Sequence, residues 1–134
     1  MQTIRGAHAL ITGGSRGRGP YIARALAGEG AKLTITARSA DSLREVASQL
    51  EGDGTRVHPV VADVCDGGAR RELIEEAEST LGPIDILVNN AGIETIVSYL
   101  DLSPDRIAGM VRTNLEAPLI PSRLVLEGMI ERGR

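Results

Sequence analysis

The sequence predicts an α/β protein: a parallel sheet, doubly wound, with helices on both faces. Three observations carry that expectation. Short aliphatic and β-branched runs alternate along the chain with longer amphipathic stretches. A glycine-rich turn, 12-TGGSRGRG-19, separates the first run from the first helical stretch. The fourth run, Ile84–Val88, is apolar enough to be buried on both faces, as a parallel strand inside a sheet is.

The elements follow in order. Ala7–Thr12 is an apolar strand ended by glycine. Residues 18–28 carry Ile22, Ala25 and Leu26 at helical spacing, and Gly30 is placed to cap that helix. Lys32–Ala37, rich in Thr and Ile, is a second strand. Asp41 is the expected cap of a helix through Leu50, with Leu43, Val46, Ala47 and Leu50 on one face. Arg56–Ala62 is a third strand. Residues 67–81 form a helix with Leu73, Ile74, Ala77 and Leu81 inward, closed by Gly82-Pro83. After the fourth strand, Ser103-Pro104 opens a long helix, Ser as N-cap and Pro at its first position. Strands and helices in this alternation require right-handed crossovers.

Composition narrows the functional classes. At 134 residues the chain is one domain, able to bury roughly two-thirds of its unfolded surface. Its core is aliphatic, because there is no Phe or Trp and only Tyr21 and Tyr99. A net charge of -3 argues against a nucleic-acid partner and against a membrane surface. The charge is uneven, however: residues 1–38 hold six basic groups and one acid, residues 39–134 nine basic and seventeen acidic groups. The first third therefore has a local net of +5 and is placed to meet an anion. Cys65 is alone, so no internal disulfide forms, and a reducing, cytoplasmic setting is expected. No leader or membrane span is evident. No His, Cys or carboxylate pair has metal-ligand spacing, and His8 and His58 are expected as packed core residues.

The glycine turn gives that anion a place. It follows a strand and opens a helix, the context in which a backbone cradles a phosphate. Glycines permit a tight turn and close approach, and the helix behind them aims unpaired N–H groups and a partial positive charge at the ligand.

The spacing is T-G-x-x-x-G-x-G, with Gly13, Gly17 and Gly19. Asp63-Val64 ends the third strand, Asn89-Asn90-Ala91-Gly92 ends the fourth, and Thr113-Asn114-Leu115 lies in the long helix. With these four motifs in this order, the whole chain resembles the short-chain dehydrogenase/reductase family. The resemblance implies a Rossmann-like sheet of order 3-2-1-4, with residues 1–134 forming one incomplete NAD(P)-binding domain. It implies that Gly13, Ser15, Arg16, Gly17 and Gly19 form the dinucleotide turn. Asp63 and Val64 would lie against the adenine, and Asn90 and Ala91 along the adenosine ribose. Gly92 would give backbone clearance, and Asn89 would tie neighbouring strands. Arg18 departs from the family, which usually has an apolar residue there.

The cofactor is expected to be NADP(H) rather than NAD(H). An NAD site places an Asp or Glu at the end of the second strand to bind the ribose 2′-OH. Here that place reads Ala37-Arg38-Ser39. The planar fork of Arg38 suits a 2′-phosphate. By resemblance, Arg16 is the second cation of NADP(H)-preferring members.

Chemistry in the family depends on a Ser and a Tyr-x-x-x-Lys pair, and its substrates are small carbonyl or alcohol compounds. Neither tyrosine fits: Tyr21 is followed at that spacing by Ala25 and Tyr99 by Ser103, and the only Lys is Lys32. One auxiliary catalytic part is implied, Asn114, whose backbone carbonyl holds a water in a proton relay. The sequence supports it independently. In a regular helix residue 118 would donate to the Asn114 carbonyl, but Pro118 has no N–H and kinks the helix, and Pro121 does the same for Ala117.

The order of landmarks implies a chain truncated after the fourth strand and the long helix. Leu115, Leu119, Ile120, Leu124, Val125, Leu126, Met129 and Ile130 would then lack cover, and the fourth strand would be an open edge. The alternative to an enzyme half is a catalytically inactive module that holds NADP(H), forms a homo-oligomer, or docks on a complementary chain. The expected outcome is aggregation or association of the isolated chain. Sedimentation showing a monodisperse monomer with cooperative unfolding would contradict it.

Overall fold

The computed structural model describes residues 3–133. The elements are β1 (His8–Thr12), α1 (Gly19–Gly28), β2 (Lys32–Ala37), α2 (Ala40–Gly52), β3 (Val57–Val61), α3 (Gly67–Leu81) and β4 (Ile86–Val88). A 3-10 turn (Tyr99–Asp101), α4 (Pro104–Val111), a π-helical turn (Arg112–Glu116) and α5 (Ala117–Arg132) follow. The four strands form one parallel sheet in the order β3-β2-β1-β4. The expected α/β fold and strand order are those observed.

Alternation along β1 and β2 builds two cores. On one face Ala9, Ile11, Leu33 and Ile35 meet Ala23 of α1 and Leu43, Val46, Ala47 and Leu50 of α2. On the other, Leu10, Val60 and Ile84 meet Leu73, Ile74 and Ala77 of α3 and Ala117 and Val125 of α5. All five residues of β1 are buried, because it lies between β2 and β4 with helices above and below.

Several local expectations need correction. Ile86–Val88 is half-buried, not covered on both faces, because β4 is an edge of this sheet; only Ile84, just before it, is fully buried. The N-cap of α2 is Ser39, whereas Asp41 sits exposed in the first turn and pairs with Arg44 at 3.3 Å. An acid there complements the helix dipole without capping it. Asn89 ties β4 to a helix, not to a strand, through Nδ2 donating to Ser122 Oγ at 3.0 Å. Ser103 does cap α4, accepting from Arg106 N, with Pro104 first in the helix. Near Pro118 the chain does not stop being helical. It widens into the π-helical turn and re-enters α5 with Pro118 in the first turn and Pro121 inside. A missing donor is absorbed by changing the helical repeat, a known cause of such turns.

On the last helix Val125 is buried and Leu124 and Met129 pack against the core, while Leu119, Ile120, Leu126 and Ile130 are exposed, as is Leu115 before it. Among the described residues no helix is long and apolar enough to cross a membrane.

His8 locks β1 to its surroundings. It is 0% exposed. Its Nδ1–H donates to the Gly82 carbonyl at 2.7 Å, and its Nε2 accepts from Thr34 Oγ1 at 2.9 Å. Both bonds suit the neutral ring. Burial lowers its pKa from 6.5; the Gly82 carbonyl opposes that, Lys32 adds to it, and Asp85 and Glu78 oppose it. His58, by contrast, is only half-buried and reaches Glu76 at 2.8 Å.

The sign of the pH dependence follows. The unfolded ring takes up a proton near its ordinary pKa of about 6.5, whereas the folded ring resists it. The contribution is complete above that value and is lost as pH falls through the lower folded pKa. The stability of the chain relative to a His8→Gln variant should therefore shrink on acidification from about pH 7 to about pH 5. Urea midpoints that keep a constant difference over that range would refute this.

Candidate functional site

The C-terminal ends of the strands open into one cleft of about 750 Å³. Its walls come from the turn after β1, the ends of β2 and β3, the segment after β4, and the π-helical turn. It lies where open α/β sheets bind ligands, beyond the strand ends and between β1 and β4 where the strand order reverses.

The turn is built by two tight approaches. Gly13 has φ 66°, and a Cβ on it would stand 2.9 Å from the Ala91 Cα. Gly19 is buried at the start of α1, and a Cβ there would collide with the Gly13 carbonyl oxygen. Side chains at either place would push the turn off the sheet. Gly14 N donates to the Thr36 carbonyl at 2.9 Å, which fixes the turn to β2. The N–H groups of Gly17 and Arg18 have no hydrogen-bond partner among the described residues. They point to a site for an anion.

A second set of bonds joins β1 to β4. Thr12 Oγ1 accepts from Asn90 N and Ala91 N, each at 3.1 Å, and donates to the Val88 carbonyl at 3.4 Å. Asn90 Nδ2 returns bonds to the carbonyls of Thr12 at 3.1 Å and Gly13 at 3.0 Å. Thr12 heads the T-G-x-x-x-G-x-G pattern, but its bonding role is marked in the sequence only by a hydroxyl at the last strand position, directly before glycine.

The third set positions Asn114. Its side chain clasps Ile93 in both directions, Oδ1 accepting from Ile93 N at 2.9 Å and Nδ2 donating to Ile93 O at 2.8 Å. Neither residue type nor spacing announces that pairing, which depends on how the π-helical turn faces the loop after β4.

Of the residues named from the sequence, Gly13, Ser15, Arg16, Gly17, Arg38, Asp63, Val64, Asn90, Ala91, Gly92 and Asn114 all line this cleft. Gly19 does not; it lies beneath, supporting the turn. Arg18 lines the cleft as well, and so do Cys65 and Glu94. Cys65 is half-buried, packs against the second core cluster, and has Sγ 3.3 Å from Thr113 Oγ1. The guanidinium groups of Arg16, Arg18 and Arg38 have no ion-pair or hydrogen-bond partner among the described residues. Among the described residues no cluster of His, Cys, Asp or Glu is arranged to hold a metal ion.

Fold and site together define the doubly wound, Rossmann-like class of α/β proteins with a glycine turn at the switch point. The short chain dehydrogenase family model matches residues 7–134, and the chain belongs to that family. It is 38% identical to the ketoacyl reductase HetN of Nostoc sp. strain PCC 7120 over 133 residues, covering 99% of this chain and 46% of that protein. Among solved structures, a blue fluorescent protein from a metagenomic library in complex with NADPH superposes with a TM-score of 0.87 at 35% identity, over 96% of this chain and 53% of that one. A short chain dehydrogenase of Burkholderia cenocepacia J2315 in complex with NADP gives 0.87 at 37% identity, over 94% and 52%. The chain thus spans about half the length of the relatives it matches.

Gly13→Ala places a Cβ against backbone at positive φ and should cost about 1–3 kcal/mol of folding stability. Gly28→Ala, in a helix with nothing within 4 Å, should be neutral or stabilising by up to about 1 kcal/mol. Equal denaturation midpoints for the two variants would show that the Gly13 contact is not tight.

Proposed function

We propose that residues 1–134 are the cofactor-holding part of an NADP(H)-dependent oxidoreductase acting on a small carbonyl or alcohol substrate. The observation that carries this is one cleft in which the glycine turn, two unpaired amides and three unpartnered guanidinium groups converge. The similarity to a ketoacyl reductase supports it, as does the similarity to the solved neighbours with NADPH or NADP.

The residues present fit such a dinucleotide. Gly17 N–H and Arg18 N–H would donate to its phosphates at the N-terminus of α1. Asp63 and Val64 would border the adenine, Asn90 and Ala91 the adenosine ribose, and Gly92 would give backbone clearance. Arg38, just past the end of β2, and Arg16, in the turn, would hold a 2′-phosphate, which favours NADP(H) over NAD(H). Arg18 adds a third free cation to the same rim. A bound nicotinamide cofactor supplies hydride chemistry toward the substrate carbon. Asn114 is the auxiliary catalytic part, holding the loop at Ile93 with its side chain and offering its backbone carbonyl to a relay water. The cytoplasm is the proposed compartment.

A second reading is favoured by the apolar side chains that α5 leaves exposed. On that reading the chain holds NADP(H), or docks on a subunit through the exposed Leu119, Leu126 and Ile130, without turnover. Mixing with a full-length relative and following NADPH oxidation separates the two.

Titration of the chain and of Arg38→Ala with NADPH and NADH tests the cofactor assignment. Loss of charge-assisted bonds should weaken NADPH by about 10- to 100-fold and leave NADH nearly unchanged. Equal loss for both, or none, contradicts it.

A further inference from the structure

We propose that Arg70, which does not itself line the cleft, is a positioning residue that holds the π-helical turn and through it the Asn114–Ile93 clasp. Arg70 lies in α3 and is 4% exposed. A buried guanidinium is costly unless its donors are met. Here only part of it is satisfied: NH2 donates to Glu116 Oε1 at 3.0 Å, while Nε and NH1 have no partner among the described residues. Orphaned buried donors call for an explanation other than stability.

The one partner supplies it. Glu116 is the last residue of the π-helical turn Arg112–Glu116, and Asn114 lies two residues before it. A π-helical turn is a local exception to the regular helical repeat and relaxes unless its surroundings hold it. Pro118 removes one competing α-helical bond, but nothing in the proline fixes how the turn faces the cleft. Besides the Asn114–Ile93 clasp itself, two side-chain contacts do: Thr113 Oγ1 meets Cys65 Sγ at 3.3 Å, and Glu116 meets Arg70. Of these the second is charge-assisted and therefore the stronger. The turn so held presents Asn114 to Ile93, and both residues line the cleft. The coupling runs from α3 through Glu116 to Asn114 and the loop after β4.

The test needs no ligand, so it stands or falls separately from the proposed function. Hydrogen exchange of the Ile93 N–H, read by NMR on the full chain, reports the clasp directly. Arg70→Met fills the same volume without charge, and replacing a buried, partly satisfied ion is often neutral or stabilising. The expected result is exchange at Ile93 accelerated by about three- to tenfold, the worth of one hydrogen bond, while the amides of Ile11 and Ile35 keep their protection. Glu116→Gln, on a partly exposed residue, keeps an acceptor and should accelerate Ile93 less than Glu116→Leu does. Arg70→Lys should restore part of the protection. Unchanged Ile93 exchange in Arg70→Met, or equal loosening at Ile11, Ile35 and Ile93, overturns the proposal. If Arg70→Met does not fold, the Glu116 pair decides: equal Ile93 rates in Glu116→Gln and Glu116→Leu overturn it.

Discussion

The bonds that knot the end of β1 to the end of β4 are the constraint on which the cleft depends. Thr12 and Asn90 exchange hydrogen bonds through both side chains and backbones. These bonds take up polar groups that would otherwise be left unmet where two strands stop in a half-buried place. They also set the separation of the two segments that form opposite walls. The glycine turn is then held a second time by β2, through the Gly14 N–H and the Thr36 carbonyl. A backbone fixed at three points loses little freedom when an anion arrives, and preorganisation of that kind favours binding.

Charge is organised on the same plan. The excess of basic groups in residues 1–38 includes Arg16, Arg18 and Arg38, and the fold brings all three to one cleft. Other cations are used up internally: Lys32 Nζ donates to the Leu81 carbonyl at 2.6 Å, and Arg24 NH2 donates to Gln49 Oε1 at 2.7 Å. The contrast distinguishes arginines that tie the scaffold from arginines left available for a ligand.

Much of this was legible in the sequence. Alternation of short apolar runs with amphipathic stretches gave the strands, the helices and the class, because burial on both sides of a sheet writes a simple pattern. The glycines were legible for a similar reason: a turn pressed against backbone tolerates nothing larger. What the sequence hid were relations between distant side chains. Thr12 reads as an ordinary strand residue until Asn90 arrives beside it. Asn89 and Asn90 look interchangeable, yet one reaches Ser122 on α5 and the other the end of β1. The burial of β4 was overestimated, because an apolar strand carries no mark of how many neighbours it has. Pro118 signalled an irregularity, but whether the helix would end, bend or widen depended on the packing of α3 against it.

The contact at Gly13 has an evolutionary corollary. Position 13 and positions 90–91 lie more than seventy residues apart in the chain, yet the Asn90 side chain donates to the Gly13 carbonyl, and a Cβ at 13 would stand 2.9 Å from the Ala91 Cα. A bulkier residue at 13 is admissible only with a simultaneous retreat of the other segment, and that retreat breaks the Thr12 bonds. The two stretches are thus sterically constrained to change together. Natural variation should reach the solvent-facing arginines of the rim far sooner than it reaches this buried seam.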